Sequence, residues 1–262
     1  YPTTTPSQTL INYVVFVVVV VVLGFCYLYL FTFPYFLSDI AFHPTNSTIL
    51  YVATNLGNGF GVKKSVDGGL TYSDHVIPGV SYYGKLSVSN GCASCLFYAN
   101  DDGVWKSTNE GVNYSFLNNP NQNCDGFVVS DLDPTKMIYG AVDMERSIDG
   151  GQNFEQVTNW NLGWTSNGGS GNQVAYNTST DYVHADVRNA QCINGVFYVA
   201  TDGLLCKSSD DVLTWEKLSR KISIRENYKL GVSQSNHYRT IVGSQDNGTS
   251  INFFFRQWAM AS

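Results

Sequence analysis

Short runs of alternating apolar and polar residues recur along the chain from residue 38 onward. Gly, Asn and Asp residues bound these runs, as they bound the strands of antiparallel sheets. No stretch after residue 38 has the apolar periodicity of a helix. The pattern predicts an all-β protein of five units. The expected strands are Ile40–Pro44, Ile49–Thr54, Gly61–Ser65 and one near Tyr72; Lys85–Ser89, Cys95–Asn100, Gly103–Ser107 and Tyr114–Leu117; Phe127–Leu132, Met137–Val142, Met144–Ser147 and Phe154–Val157; Val183–Val187, Val196–Thr201, Leu204–Ser208 and Trp215–Leu218; Lys229–Ser233, Thr240–Ser244 and Gly248–Phe253.

An eight-residue motif, here called the octet, marks the end of the third strand in four of these units. Its pattern is Ser-x-Asp-x-Gly-x-Thr-aromatic, and the octets begin 42, 40 and 61 residues apart. Its members are Ser65, Asp67, Gly69, Thr71 and Tyr72; Ser107, Asn109 and Gly111; Ser147, Asp149, Gly151 and Phe154; Ser208, Asp210, Thr214 and Trp215. Ser and Asp side chains bind nearby backbone groups, and Gly adopts conformations that other residues resist. Each octet is therefore expected to be a structural turn between two strands.

These octets resemble Asp-box (BNR) repeats, which occur in sialidases, xyloglucanase-like hydrolases and sortilin-type receptors. The resemblance covers roughly residues 38–250. It implies a β-propeller of four-stranded antiparallel blades, in which the box joins the third and fourth strands at the rim, away from the active site. Five blades are recognisable, and because the family usually has more, we expect that some blades are missing. The arginine arrangement typical of sialidases is not recognisable here.

Residues 1–37 stand apart from the repeated units, which occupy residues 38–262. They consist of a polar tail followed by an apolar, uncharged stretch from Ile11 to Phe33. Twenty-three such residues are enough to span a bilayer as a helix, so we expect a membrane anchor. Valine and aromatic residues also favour strands, and Tyr13–Val22 and Phe25–Phe33 are the alternative prediction of two strands in a further blade.

Charge and cysteine content narrow the classes of partner and compartment. The net charge of −6 argues against nucleic-acid binding, because no basic stripe is present to neutralise phosphates. Six cysteines are typical of a secreted or luminal protein, as disulfides or buried thiols. Sequons permit N-glycosylation at Asn46, Asn113, Asn177 and Asn247. No metal or cofactor motif is present, so no cofactor is expected.

The longest interval between octets contains the first candidate ligand-binding residues. An insertion at 159–181 holds Trp160, Trp164 and Tyr176 among Gly, Ser and Asn residues. Such aromatics stack on sugar rings or partner side chains, although one of them would otherwise cap a blade. His184, Asp186 and Arg188 follow on the expected innermost strand, where alternation places all three on one face. They form either a ligand site or a self-satisfied ionic cluster.

Two further predictions concern acidic residues. Asp131 and Asp133 lie at the end of the expected innermost strand of the third unit, and Asp131 with Asp186 is the candidate pair for a glycosidase. The alternative is that both unit-three aspartates are turn acids before Pro134. Gln245 and Asp246 begin a Gln-Asp-Asn-Gly turn, which resembles a turn of sortilin-like and xyloglucanase-like proteins and is favoured as a structural hairpin.

The sequence favours a secreted or cell-surface recognition module that binds a glycan or protein partner. The first alternative is a glycoside hydrolase that resembles xyloglucanases, with Asp131 and Asp186 as its carboxylates. The second is a scaffold or assembly subunit of a membrane complex, resembling the propeller of photosystem assembly factors and anchored through residues 11–33.

Overall fold

The computed structural model describes residues 14–22, 25–33, 37–120, 122–160, 182–218, 227–236, 239–244, 249–254 and 257–261. Within these residues the protein is all-β, with five four-stranded antiparallel sheets and one two-stranded sheet. In each four-stranded sheet, the strands lie side by side in chain order. The expected all-β architecture with four-stranded antiparallel blades is confirmed.

The four-stranded sheets contain strands β3–β22. Their bounds are β3 Leu37–Phe42, β4 Leu50–Asn55, β5 Phe60–Ser65 and β6 Ser73–Val76; β7 Lys85–Ser89, β8 Cys92–Asn100, β9 Gly103–Ser107 and β10 Ser115–Asn118; β11 Gly126–Val129, β12 Met137–Gly140, β13 Met144–Ser147 and β14 Glu155–Gln156; β15 Val187–Ile193, β16 Val196–Thr201, β17 Leu205–Ser208 and β18 Glu216–Lys217; β19 Asn227–Val232, β20 Thr240–Ser244, β21 Thr249–Phe254 and β22 Gln257–Ala261.

The N-terminal apolar segment is built from strands rather than a helix. β1 (Val14–Val22) pairs with β2 (Phe25–Phe33) in an antiparallel register that runs from Val14 opposite Phe33 to Val22 opposite Phe25. The expectation of a helix was wrong for these residues. The two strands of the alternative prediction are present, but they form a two-stranded sheet by themselves and not part of a four-stranded blade. The described part of the chain contains no helix of the length and hydropathy needed to cross a membrane.

The first strands of successive four-stranded sheets pack side by side and run in the same direction. Near the start of β3 and β7, the amide of Leu86 donates to Asp39 Oδ2 at 2.8 Å. The amide of Val129 in β11 donates to Ser87 Oγ in β7 at 2.9 Å. Strands β3, β7, β11 and β15 are therefore the innermost strands of their blades, and all four run from one face of the propeller to the other.

This shared direction defines two faces. The octets and the turns after each innermost strand lie on one face, which we call the octet face. The loops that lead into each innermost strand lie on the other, together with the turns between the second and third strands. We call this second face the tyrosine face, after Tyr82 and Tyr83 in the loop before β7.

Three hydrophobic clusters fill the spaces between adjacent sheets. Tyr51 and Tyr98 belong to the cluster between the first and second sheets, and Phe97 and Tyr139 to the one between the second and third. Phe197 belongs to the cluster between the third and fourth sheets. All five aromatic rings are almost fully buried, so these clusters stabilise sheet packing. They leave the polar loops at both faces free to carry other roles.

The octets form the hydrogen-bonded turns expected from their sequence. In the first octet, Ser65 Oγ donates to Asp67 Oδ1 at 2.8 Å, and the amide of Thr71 donates to the same oxygen at 2.9 Å. The equivalent two bonds in the other three octets measure 2.8–3.0 Å. The aromatic residue of each octet directly precedes the fourth strand of its sheet. The prediction of a structural turn at these four positions agrees with this geometry.

The fourth and fifth residues of every octet have positive φ. Glycine occupies both places in the first and third octets, but Glu110 (φ 56°) takes the fourth place in the second octet, and Asp211 (φ 58°) takes it in the last. These two acids pair with lysines of the preceding sheet: Lys64 Nζ lies 2.8 Å from Glu110, and Lys136 Nζ lies 2.7 Å from Asp211. An ion pair to the neighbouring sheet thus accompanies the less favourable backbone conformation.

Candidate ligand-binding face

Asp131 lies on the octet face, just beyond the end of β11. Its Oδ2 accepts a hydrogen bond from the amide of Asn194 at 2.7 Å, and its Oδ1 accepts one from the amide of Gly195 at 2.9 Å. Cys192 Sγ also donates to Oδ1, at 3.3 Å. Partial burial acts to raise the pKa of Asp131, but these hydrogen bonds outweigh it and hold the pKa below its usual value. Asp131 therefore joins the third sheet to the β15–β16 turn of the fourth.

Asp133 is a turn acid, as its alternative interpretation stated. Its Oδ1 accepts hydrogen bonds from the amide and hydroxyl of Thr135, at 3.0 and 2.6 Å. All of these bonds lie within one turn. They satisfy the carboxylate locally and require no ligand.

The three residues His184, Asp186 and Arg188 do not share one face of a strand, so that prediction was wrong. The innermost strand of the fourth sheet begins at Val187, after His184 and Asp186, and not at Val183. Asp186 has a φ of 59°, which ends the extended backbone before the strand starts. Arg188 is the extra residue of a bulge, because Val187 pairs with Thr201 and Asn189 pairs with Ala200.

His184 makes its ionic contact elsewhere. Its Nδ1 lies 2.9 Å from Oδ1 of Asp202, whose side chain is fully buried in the turn between β16 and β17. The backbone of Asp202 in turn donates to the carbonyl of Asp186 at 3.3 Å. This group fixes the start of β15 on the tyrosine face, and the ionic partner of His184 is a residue outside the expected cluster.

Asp131 and Asp186 lie at opposite ends of β15. Asp131 binds the turn after the strand, whereas Asp186 immediately precedes it. At about 3.3 Å per residue, the seven residues of β15 separate them by roughly 20 Å. The two carboxyl groups of a glycosidase lie only about 5–10 Å apart. The prediction of these two residues as one catalytic pair was therefore wrong.

Trp160 is held on the tyrosine face at the start of the insertion. Its amide donates to Asp143 Oδ1 at 2.9 Å, and Thr158 Oγ1 donates to the same oxygen at 3.2 Å. Burial raises the pKa of Asp143, and these hydrogen bonds act in the opposite direction. The predictions for Trp164, Tyr176, Asn177, Gln245, Asp246 and Asn247 concern positions outside the described residues.

Tyr82 and Tyr83 form an exposed aromatic pair on the tyrosine face. The side chain of Tyr82 is 62% exposed and that of Tyr83 is 39% exposed. Tyr83 makes an edge-to-face contact with Phe60, with ring centroids 5.1 Å apart. Tyrosines of this exposure offer a wide, amphipathic contact area to a ligand at small conformational cost.

The loop that carries the two tyrosines is fixed by its neighbours in the second sheet. Asp102 Oδ2 accepts hydrogen bonds from the amide and hydroxyl of Ser81, at 2.7 and 2.6 Å. Tyr98 Oη and Asn100 Nδ2 both donate to the carbonyl of Tyr82, at 2.8 and 3.2 Å. Three of these bonds hold the backbone of the loop and the fourth holds the Ser81 side chain, while the ring of Tyr82 faces solvent. A binding surface held in this way loses little entropy when a ligand arrives.

Carboxylates lie next to this loop. Asp101 and Asp125 are both exposed, and the amide of Cys124 donates to Asp101 Oδ1 at 2.8 Å. Partial burial acts to raise the pKa of Asp102, but the hydrogen bonds from Ser81 outweigh it, and the pKa lies below its usual value. Lys85 is the cation at the start of β7, where it is partly buried and its charge acts on Asp39. The loop is thus surrounded mainly by negative charge.

Sequence reasoning missed this aromatic pair. The segment Ser81-Tyr82-Tyr83 lies between Gly79 and Gly84, outside every expected strand, and the octet spacing at this point is regular. Two adjacent aromatic residues in a short loop were the available signal. Loops run over the protein surface, so two bulky aromatic side chains in so short a loop indicate an exposed ring.

One disulfide, three free thiols and two of the sequons lie in the described part of the chain. Cys92 and Cys95 form a disulfide within the first four residues of β8, whereas Cys124, Cys192 and Cys206 are free thiols. Both outcomes considered from the sequence, disulfides and buried thiols, are present. Asn46 and Asn113 are exposed on the octet face.

No protein-family model matches this chain, and no curated protein sequence matches it. Solved β-propeller structures do match. A nidogen/laminin complex aligns with a TM-score of 0.55 at 7% identity, over 89% of this chain and 83% of that chain. An ancestral GH74 enzyme aligns with a TM-score of 0.52 at 15% identity, over 86% and 31%. YCF48 from Cyanidioschyzon merolae aligns with a TM-score of 0.50 at 14% identity, over 87% and 71%.

These likenesses show the β-propeller fold. The chain spans only 31% of the length of the GH74 enzyme. At these identities, the activity of a matched structure does not transfer to this chain.

Proposed function

We propose that this chain is a β-propeller recognition module, which binds a glycan or protein partner through its tyrosine face. The observation that carries the proposal is the exposed pair Tyr82 and Tyr83 on a loop that four hydrogen bonds hold, three of them to its backbone. Trp160 at the start of the insertion would add a third aromatic residue to the same face. The aligned nidogen structure is a complex with laminin, so binding a protein partner is a known use of such a fold.

Recognition accounts for the described residues better than hydrolysis does. The carboxylates expected to act together lie at opposite ends of β15, and Asp131 is occupied by the amides of Asn194 and Gly195. His184 is likewise occupied by the buried Asp202. By contrast, the rings of Tyr82 and Tyr83 leave a large area exposed to a ligand.

The test compares retention and turnover on one panel of glycans and peptides. The full chain is incubated with each ligand, and bound ligand and released product are measured in parallel. We expect retention without product, and we expect Asp131→Asn and Asp186→Asn to keep that retention. Product release that either substitution abolishes would replace this proposal with a hydrolase.

The proposed setting is secreted or cell-surface. The Cys92–Cys95 disulfide supports an oxidising compartment, and the exposed Asn46 and Asn113 are accessible acceptors for glycans. The common hydrogen bonds of the octets also support their proposed identity as Asp-box repeats. Expression in a eukaryotic secretory system tests the setting: the secreted protein should lose apparent mass on deglycosylation, and Asn46→Gln with Asn113→Gln should reduce that loss. An unchanged mass would contradict glycosylation at these two sites.

A further inference from the structure

We infer that the partner is a protein segment with lysine or arginine side chains, which stack on Tyr82 and Tyr83 beside the carboxylates of Asp101 and Asp125. This inference rests on the proposed function and narrows it to one class of partner. It is based on the exposed tyrosine rings, on the carboxylates near them and on the hydrogen bonds that connect their loops.

The aromatic and acidic groups belong to loops that hydrogen bonds connect on the tyrosine face. Asn100 donates from Nδ2 to the carbonyl of Tyr82 at 3.2 Å, and Asp101 is the next residue. Asp101 accepts the amide of Cys124 at 2.8 Å, and Asp125 is the next residue along. The two exposed carboxylates are therefore connected to the tyrosine loop through two hydrogen bonds. We expect a long basic side chain that lies on the rings to interact with these charges.

Negative charge beside exposed aromatic rings favours a cationic ligand. A guanidinium or ammonium group is attracted to the face of a tyrosine ring, and it also pairs with carboxylates. Asp102 adds a third negative charge, although Ser81 and Asn100 occupy it. Lys85 opposes this charge in part, but it is partly buried and acts on Asp39.

The other ligand classes suit this surface less well. An anionic glycan would meet like charges at Asp101 and Asp125, which disfavours binding. A neutral glycan could stack on the rings but would gain nothing from the local charge. The net charge of −6 for the whole chain also attracts a basic partner at long range and raises its association rate.

The experiment uses three labelled peptides of alternating composition: Arg-Ser, Gln-Ser and Glu-Ser. Fluorescence anisotropy measures the binding of each to the full chain at low and high salt. We expect the Arg-Ser peptide to bind at least about tenfold more tightly than the Gln-Ser peptide at low salt, and salt to reduce that difference. The Glu-Ser peptide should bind most weakly.

Variants locate the site. Tyr82→Ala should weaken Arg-Ser binding by roughly 3–30-fold, whereas Tyr82→Phe, which keeps the ring, should stay near the original affinity. Asp101→Asn with Asp125→Asn should reduce the salt dependence. Leu70→Ala is the matched control, because Leu70 is 76% exposed on the octet face, and it should leave binding unchanged. Circular dichroism and urea unfolding confirm that each variant is folded.

The outcomes separate this inference from the proposed function. Equal binding of the Arg-Ser and Gln-Ser peptides, or binding that Tyr82→Ala does not weaken, would overturn the inference. Binding of a neutral glycan that Tyr82→Ala abolishes would overturn it as well, but the recognition function would stand. If no glycan or peptide depends on Tyr82 or Tyr83, both conclusions fail.

Discussion

Replacing Asp131 with alanine tests whether this carboxylate is a joint between two blades. The substitution removes two charge-assisted hydrogen bonds, to the amides of Asn194 and Gly195, and a weaker contact with Cys192. Such bonds contribute roughly 1.5–3 kcal/mol each when shielded from water. The carboxylate is only partly buried, so solvent screening reduces this contribution.

We therefore expect Asp131→Ala to lower the free energy of unfolding by about 2 kcal/mol in total. In a domain of this size the melting temperature should fall by about 4–8 °C. Urea denaturation followed by circular dichroism measures the first quantity, and calorimetry measures the second. Asp131→Asn should also destabilise the fold, because its amide nitrogen would face a backbone donor.

Asp133→Ala is the matched control for this substitution. The side chain of Asp133 binds Thr135 and pairs with Lys136 at 3.9 Å, all within its own turn, so its loss should cost less, about 0.5–1 kcal/mol. If Asp131→Ala is as stable as the unmodified chain, or costs no more than Asp133→Ala, the assignment of Asp131 as a joint between sheets is wrong.

Three further predictions concern stability. Gly150→Ala and Gly151→Ala should both destabilise the fold, because φ is 82° and 88° at these positions. Gly151→Ala should cost more, since its Cβ would lie 2.9 Å from a neighbouring side chain whereas that of Gly150 meets open space. Equal unfolding free energies of the two variants would contradict this. Hydrogen bonds from Asn153 lower the pKa of Asp149 to about 2. The contribution of this carboxylate to folding stability should therefore be complete above about pH 4 and be lost as the pH falls through about 2. The stability of Asp149→Asn should decline less steeply in acid, and an unchanged profile would refute the assignment. Reducing the Cys92–Cys95 disulfide should lower the free energy of unfolding by at most about 2 kcal/mol, because the loop that it closes is short. Urea unfolding with and without reductant measures this difference. A variant with alanine at both positions should have the same stability in both conditions.

The repeat made most of the fold predictable. The Ser and Asp residues of the octets report local hydrogen bonds, which do not depend on distant parts of the chain. For the same reason the third strand of each octet-bearing unit ends at the Ser of its octet, as it does at Ser65 and Ser147. Departures from the pattern were also tolerated: Val212 takes the place of glycine in the last octet with a φ of 67°.

The innermost strand of the fourth sheet could have been placed correctly from one local signal. Asn194-Gly195 is a two-residue turn with positive φ at both residues (53° and 74°), and Ile193 pairs directly with Val196. Counting back from this turn places β15 at Val187–Ile193. The alternation at residues 183–187 was misleading, because Val183 packs in the core from a loop.

The candidate site was less predictable, because it depends on contacts between loops of different sheets. Tyr82 becomes a presented side chain only because Tyr98 and Asn100 hold its carbonyl and Asp102 holds Ser81. Sequence spacing does not report such contacts. The same limit explains the error for Asp131, whose partners lie more than sixty residues away in the next sheet.

The most direct test of the recognition proposal compares the ligand affinity of two surface variants. Any glycan or peptide retained by the full chain is titrated against Tyr82→Ala with Tyr83→Ala, and against Leu70→Ala on the opposite face. The account predicts that the tyrosine variant loses most of the affinity while the Leu70 variant keeps it. Full affinity in the tyrosine variant, or an equal loss in both variants, would contradict the placement of recognition on the tyrosine face.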